Sequence, residues 1–260
     1  MSKYVYIMNE YKVGIIMPST TNGLKDCNSY KDTLFYKLFL KSFIKTRDKK
    51  YRGKNIIYTI YVVVDDDDKI YSKEEEVNKI HTFINLIDNV YIKFISGNGI
   101  EKGWVTKMWN RAFKHAYDDG CHYFYQCGDD IEFLDKNWVV ECIKAMEKHH
   151  DFGITGPLDW GREQFNIKHN CKGKFILTQT FVSRKHMEIF GFYFPEEIKN
   201  WFCDDWITNI YVVKDKYWKI NKRIFNKGGE PRYKPEGRGE DFKRMTNKCI
   251  DLVNKYNSYL

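Results

Sequence analysis

Four short apolar runs alternate with stretches of helical periodicity through the first half of the chain, and this alternation restricts the fold more than any other feature. The runs are Val13–Pro18 (VGIIMP), Asn55–Val64 (NIIYTIYVVV), Val90–Ile95 and His122–Cys127. Each is short and rich in β-branched or aromatic residues, so each predicts a buried strand. Between them, Asn28–Ile44 carries Leu34, Phe35, Leu38 and Phe39 on one helical face. Glu74–Ile87 repeats Val77, Ile80, Ile84 and Ile87 behind an acidic first turn, which suits a helix dipole. Gly103–Asp119 is the clearest helix: Val105, Met108, Trp109, Ala112, Phe113, Ala116 and Tyr117 follow i, i+3, i+4 spacing, and Gly120 closes it as a C-terminal cap. Further helices are expected over about Asn137–His149, Arg184–Ile189, Asp204–Tyr211 and Asp241–Tyr256. A fifth strand is expected from Gly153, a β-rich stretch at Phe175–Val182, and a Gly- and Pro-rich loop at Gly228–Gly239. Strand–helix alternation of this kind predicts an α/β fold, a mostly parallel central sheet flanked by helices on both faces.

The 260 residues suit one domain with a full core, and no composition shift or repeat marks a boundary. The net charge of +8 favours anionic partners. It is spread along the chain, and its densest run, Lys45–Lys54, reads as a solvated loop. No nucleic-acid motif accompanies it, so no nucleic acid is expected as a partner. Seven cysteines without CxxC spacing, several of them inside apolar stretches, point to reduced thiols. No signal peptide is read at the N-terminus and no window is apolar enough to span a membrane, so the expected location is cytoplasmic. Abundant Lys, Asn, Ile and Tyr with little Pro fit an AT-rich coding genome.

In an open parallel sheet, ligands bind beyond the carboxyl ends of the strands. Pro18, Ser19, Thr20 and Thr21 follow the first strand, Asp65 to Asp68 the second, and Gly128, Asp129, Asp130 and Glu132 the fourth. Two strands therefore bring carboxylates to one rim, where they need a cation or hydrogen bonds to stay charged. A hard divalent ion, Mn²⁺ or Mg²⁺, bridging one or two of them to substrate phosphates is the expected cofactor. A solvated acidic loop and an acidic turn are the structural alternatives. The histidines show no HxxH or HExxH pattern, so no zinc site is expected.

Together these segments resemble the GT-A fold glycosyltransferases, a Rossmann-like α/β class, and most closely their family-2-like inverting type, of the kind that large DNA viruses encode. YFYQCGDDIEF (Tyr123–Phe133) is similar to that family's strand and acidic DxD element, VVVDDDD to its second-strand end, VGIIMPST to its first strand and nucleotide loop, and GWVTKMWNRAFKHAYDDG to the helix beneath the donor. The resemblance covers about Val13–Tyr211. It implies a nucleotide-sugar-binding half over about 13–134, an acceptor and catalytic half over about 135–225, and a loop plus terminal helix over 226–260. It implies donor contacts from Pro18, Ser19, Thr20, Asp65, Asp66, Lys107, Asn110 and Asp129, and a metal held by Asp130 with help from Glu132. Gly128 departs from the pattern, standing where the first acid of DxD is often found. WFCDDWI (Trp201–Ile207) resembles the segment that supplies the general base in inverting members, here Asp205 with Asp204 beside it. Capping of the following helix is the structural alternative for that pair. Lys107 and Arg184 are candidates for phosphate, Trp201 and Trp206 for stacking on an acceptor sugar. The resemblance implies transfer of a sugar from a UDP- or GDP-sugar to a hydroxyl of a glycan, protein or small molecule. A nucleotidyltransferase acting on a sugar phosphate would show a Gly-rich first loop, which MPSTTNG is not, and an inactive binding homologue would bind the nucleotide without turnover.

Overall fold

Strand alternation divides the core in two. Val13, Ile15 and Met17 of β1 (Glu10–Ser19) pack into one cluster of buried side chains and Ile16 into the other, because successive side chains of a strand face opposite sides of the sheet. The protein is described by a computed structural model over residues 9–161, 174–228, 232–236 and 242–258. The strands β2 (Lys50–Tyr51), β3 (Lys54–Val64), β4 (Val90–Ser96), β5 (Tyr123–Gln126), β6 (Ile131–Phe133), β7 (Ile154–Asp159), β8 (Thr180–Ser183) and β9 (Tyr217–Asn226) join β1 in one sheet of order β2-β3-β1-β5-β8-β7-β9-β6, with β4 also pairing on β3. The run β4-β3-β1-β5 is parallel throughout, as the alternating sequence predicts. Beyond it the sheet is mixed: β8 runs antiparallel to β5 and β7, β9 is parallel to β7, and β6 is antiparallel to β9.

Helices cover both faces. On one side lie α1 (Lys41–Thr46), α2 (Glu74–Ile84) and α4 (Trp138–Lys148); on the other lie α3 (Val105–Asp118), α5 (Arg184–Phe190), α6 (Cys203–Val212) and α7 (Phe242–Asn257). In α3 the apolar stripe meets β5 directly, with Phe113 edge-on to Phe124 at 4.6 Å. The segment expected as one helix over 28–44 is three pieces: a 3₁₀ turn at Tyr30–Asp32, a π-helical turn at Phe35–Leu40, then α1. Phe35, Phe39 and Phe43 stack in a row along it. The expected loop at 228–239 and helix at 241–256 lie partly outside the described residues, as does the amino-terminal segment before residue 9.

His186 on α5 shows how the second cluster handles a buried polar group. It is 2% exposed. Its Nε2 donates to the Tyr193 carbonyl at 3.0 Å, which leaves Nδ1 to accept from Tyr211 Oη at 2.8 Å. Burial holds its pKa down at about 4. The folded protein thus refuses a proton that the unfolded chain accepts below pH 6.5. Stability is expected to fall by about 3 kcal/mol as pH drops from 6.5 to 4. Melting curves across that window should show this slope in the wild type and a flatter one in His186→Gln.

Candidate functional site

β1 is the point at which the parallel strand order reverses. The chain leaves it for β3 and β4 on one side and returns through α3 to β5 on the other, and ligand crevices in such sheets open beyond the carboxyl ends at this reversal. Two clefts lie there. One, of about 250 Å³, is lined by Pro18, Ser19, Thr20, Asp65, Lys102 and Tyr233 among others. The second, of about 520 Å³, includes Asp129, Asp130, Trp201, Asp204, Asp205 and Gln179 in its lining. Pro18, Val105, Arg232 and Tyr233 border both. Asp65 and Asp130 therefore stand at one rim.

The loops beneath the first cleft are fixed by the last aspartate of the four-residue acidic run. Asp68 is fully buried. Its carboxylate accepts from Thr20 Oγ1, from the Thr21 amide and hydroxyl, and from the amides of Ile70 and Tyr71 at 2.5–3.2 Å. It ties the end of β1 to the end of β3. Of its neighbours, Asp65 lines the cleft, whereas Asp66 is exposed, accepts from Ser96 Oγ at 2.5 Å and does not line it. Asp67 pairs with Lys102.

The acidic turn after β5 holds two carboxylates in different surroundings. Asp129 is 2% exposed and accepts from Ser19 Oγ at 2.7 Å and from the Arg232 guanidinium, which also reaches the Thr20 carbonyl at 2.5 Å. Asp130 is 20% exposed at the cleft, 3.9 Å from Arg232. Burial pushes its carboxyl up to about 6, with Asp129 adding to the rise and Arg232 opposing it. Gly128 and Gly228 flank it. A Cβ on Gly128 would come within 2.5 Å of Asp130 Oδ1, and one on Gly228 would overlap its other oxygen. The glycine at the first position of the acidic motif thus leaves space that the Asp130 carboxylate occupies.

Several expected site residues stand elsewhere. Glu132 faces away from its buried neighbours Ile131 and Phe133, pairs with Lys227 and does not line either cleft, as strand alternation requires. Asn110 is committed to backbone: its carbonyl accepts from the amides of Tyr193 and Phe194 and its amide donates to the Phe194 carbonyl. Lys107 lies over the Trp104 ring at 3.8 Å and near Glu196 at 3.5 Å, outside both clefts. Arg184 stacks on Tyr117 and donates to the Tyr117 and Cys121 carbonyls, closing the end of α3. Trp206 is core, whereas Trp201 is 46% exposed and lines the second cleft. Asp204 and Asp205 lie in the first turn of α6, and Asp204 accepts from the Asp205 amide at 3.0 Å, so the pair sets negative charge at the positive end of the helix dipole and also faces the cleft.

Arg232 and Lys102 are the functional candidates that sequence reading missed. Arg232 arrives because β9 pairs with β6, which starts directly after Asp130, so the chain leaving β9 passes over the acidic turn. A basic residue in a Gly- and Pro-rich loop was the visible signal, but that nonlocal pairing gives it meaning. Among the described residues, no group of three or more His, Cys, Asp or Glu side chains converges to cage a metal.

A curled α/β sheet with helices on both faces and its crevice at this reversal is a GT-A glycosyltransferase-like fold. Solved structures of S. aureus TarS share it. The complex of TarS 1-349 with UDP superposes with a TM-score of 0.55 at 13% identity over 93% of this chain, and a second TarS structure with a TM-score of 0.55 at 12% identity over 93%. The chain spans 65% and 39% of the lengths of those two. No family model and no curated protein sequence matches it. Among the described residues, no helix is long and apolar enough to cross a membrane.

Proposed function

We propose that the protein transfers a sugar from a nucleoside-diphosphate sugar, UDP- or GDP-linked, to an acceptor hydroxyl. The observation that carries this reading is the meeting of Asp129 and Asp130 with Asp204 and Asp205 in the second cleft, beside the first cleft bordered by Lys102, Arg232 and Lys234. Acids alone would suit many hydrolases. Acids next to a crevice bordered by basic side chains at a strand-order reversal suit a donor whose diphosphate lies between them. The UDP in the TarS complex supports the same reading.

The acid set fits a divalent ion in one particular way. Among the described residues there are too few converging ligands for a cage, but Mg²⁺ or Mn²⁺ bound with substrate phosphates needs only one or two carboxylates. Asp130 suits that role: its charge is poorly compensated, as its raised pKa shows, and it reaches the cleft. Asp129, held by Ser19 and Arg232, keeps the turn in place. When bound, the ion would stabilise charge on the departing diphosphate. Arg232 and Lys102 supply fixed positive charge at the same wall. Asp205, with Asp204 beside it, takes the acceptor proton as the hydroxyl attacks the anomeric carbon, giving inversion. Trp201 offers an aromatic plane to the acceptor, and Trp201→Ala is expected to raise the acceptor KM about fivefold and leave donor binding unchanged, read from paired saturation curves.

The direct test is a panel of UDP- and GDP-sugars with Mn²⁺, scored for diphosphate release with and without acceptors. Release that requires both metal and a sugar nucleotide is the expected result. Tight binding without turnover would make this a binding module, and preference for nucleoside triphosphate with sugar phosphate would make it a nucleotidyltransferase.

A further inference from the structure

Two polar side chains lining the second cleft each hold a buried oxygen without a hydrogen-bond partner among the described residues. Thr178 is 9% exposed and Gln179 is 4% exposed. Among the described residues neither Thr178 Oγ1 nor Gln179 Oε1 has a hydrogen-bond partner. Buried polar groups are nearly always paired, so such a pair calls for an explanation. The other unpartnered side-chain atoms of this kind, on Tyr125, Trp138 and Trp206, belong to rings packed in the two core clusters, away from the cleft.

Their surroundings hold them in place. Thr180 of β8 pairs with Gln126 of β5, so Thr178 and Gln179 run alongside the turn that carries Asp129 and Asp130. Thr180 Oγ1 bonds Gln126 and Tyr193, and the Leu177 amide donates to Thr208 Oγ1 at 3.4 Å. Anchored on both sides, the two residues form a rigid floor for whatever lies next to the acidic turn. The Gln179 carbonyl offers an acceptor and the Thr178 hydroxyl a donor and an acceptor, which is the complement of a sugar's hydroxyl groups.

We propose that Thr178 and Gln179 recognise hydroxyls of the transferred sugar and so determine which nucleotide-sugar the protein accepts. The inference rests on the nucleotide-sugar reading above. The sugar is chosen over the acceptor because it is joined to the diphosphate, and the pair stands beside the acids that face that diphosphate. The cleft, at about 520 Å³, has room for a hexose ring. A site built to hydrogen-bond a hydroxyl discriminates strongly against a ligand that lacks it or turns it away.

The test uses the full chain with Mn²⁺ and titrates UDP, GDP, UDP-glucose, UDP-galactose, UDP-N-acetylglucosamine and GDP-mannose into the wild type, Thr178→Val and Gln179→Met. The expected result is unchanged affinity for the bare diphosphate and a loss of about tenfold, per variant, in preference among the sugars. Both variants should melt at or above the wild-type temperature, because an unpaired buried polar atom has been removed. Unchanged sugar preference with normal diphosphate binding, or no sugar preference in the wild type, would overturn this inference alone and leave bound water as the partner. A lowered melting temperature with lost diphosphate binding in both variants would make the pair structural and overturn it too. Failure of the wild type to bind any of the nucleotides would overturn it together with the nucleotide-sugar reading.

Discussion

Asp130→Asn is expected to abolish sugar transfer, by about a thousandfold or more, and at the same time to raise the melting temperature at pH 8. The two effects share a cause. Burial and the charge of Asp129 raise the Asp130 pKa to about 6, above that of an unfolded aspartate, so the folded protein binds this proton more tightly than the unfolded chain does. Ionised Asp130 therefore costs stability above pH 6, up to about 3 kcal/mol, and the cost disappears as pH falls through 6 towards 4. A neutral isostere removes it. The gain should be present at pH 8 and vanish near pH 4, measured by melting curves of both proteins. Asp205→Asn supplies the contrast: transfer lost by a general-base factor, Mn²⁺-dependent UDP binding retained. A variant at Asp130 that turns over at the wild-type rate would place the metal elsewhere, and an Asp205 variant that unfolds would reduce that residue to a helix cap.

The largest stability effect is expected at Asp68, which lines neither cleft. Asp68→Ala strips five donors of their acceptor at a fully buried position. Hydrogen bonds to a charged group and buried donors left unpaired each count for more than a neutral exposed bond, and together a loss of about 4 kcal/mol is expected. In a chain of this size that is a fall of roughly 10 °C in melting temperature. Donor binding should weaken as well, since the same carboxylate positions Thr20 and Thr21 next to Ser19 and the first cleft. Asp68→Asn should lie between, keeping the shape but setting an amide against some of the same donors. Thermal melts of the three proteins with and without UDP and Mn²⁺ check both parts, and a wild-type melting temperature in Asp68→Ala would mean that the loops are held by other contacts.

What the chain declares locally was legible without coordinates. The β-branched runs at β1, β3 and β4 and the stripe on α3 fix which segments are strands and helices, and alternation along them fixes the parallel half of the sheet. Because ligands collect at strand ends in such a sheet, Pro18, Ser19, Asp65 and Asp130 could be expected along one rim from position, and they line the two clefts, whereas Asp205 was pointed to only by the resemblance of its segment. Side-chain commitments could not. Asn110 reads as a donor contact until the backbone of Tyr193 and Phe194 is seen to claim it, Glu132 reads as a ligand until the phase of β6 turns it to Lys227, and Asp68 reads as one of four solvated acids until Thr21, Ile70 and Tyr71 surround it. Arg232 reaches Asp129 only through the antiparallel pairing of β6 with β9, a contact between residues about ninety apart in the chain. Periodicity and turn chemistry act over a few residues and are written in the sequence; hydrogen bonds and charge pairs across the sheet depend on register and twist, so only the folded chain decides them.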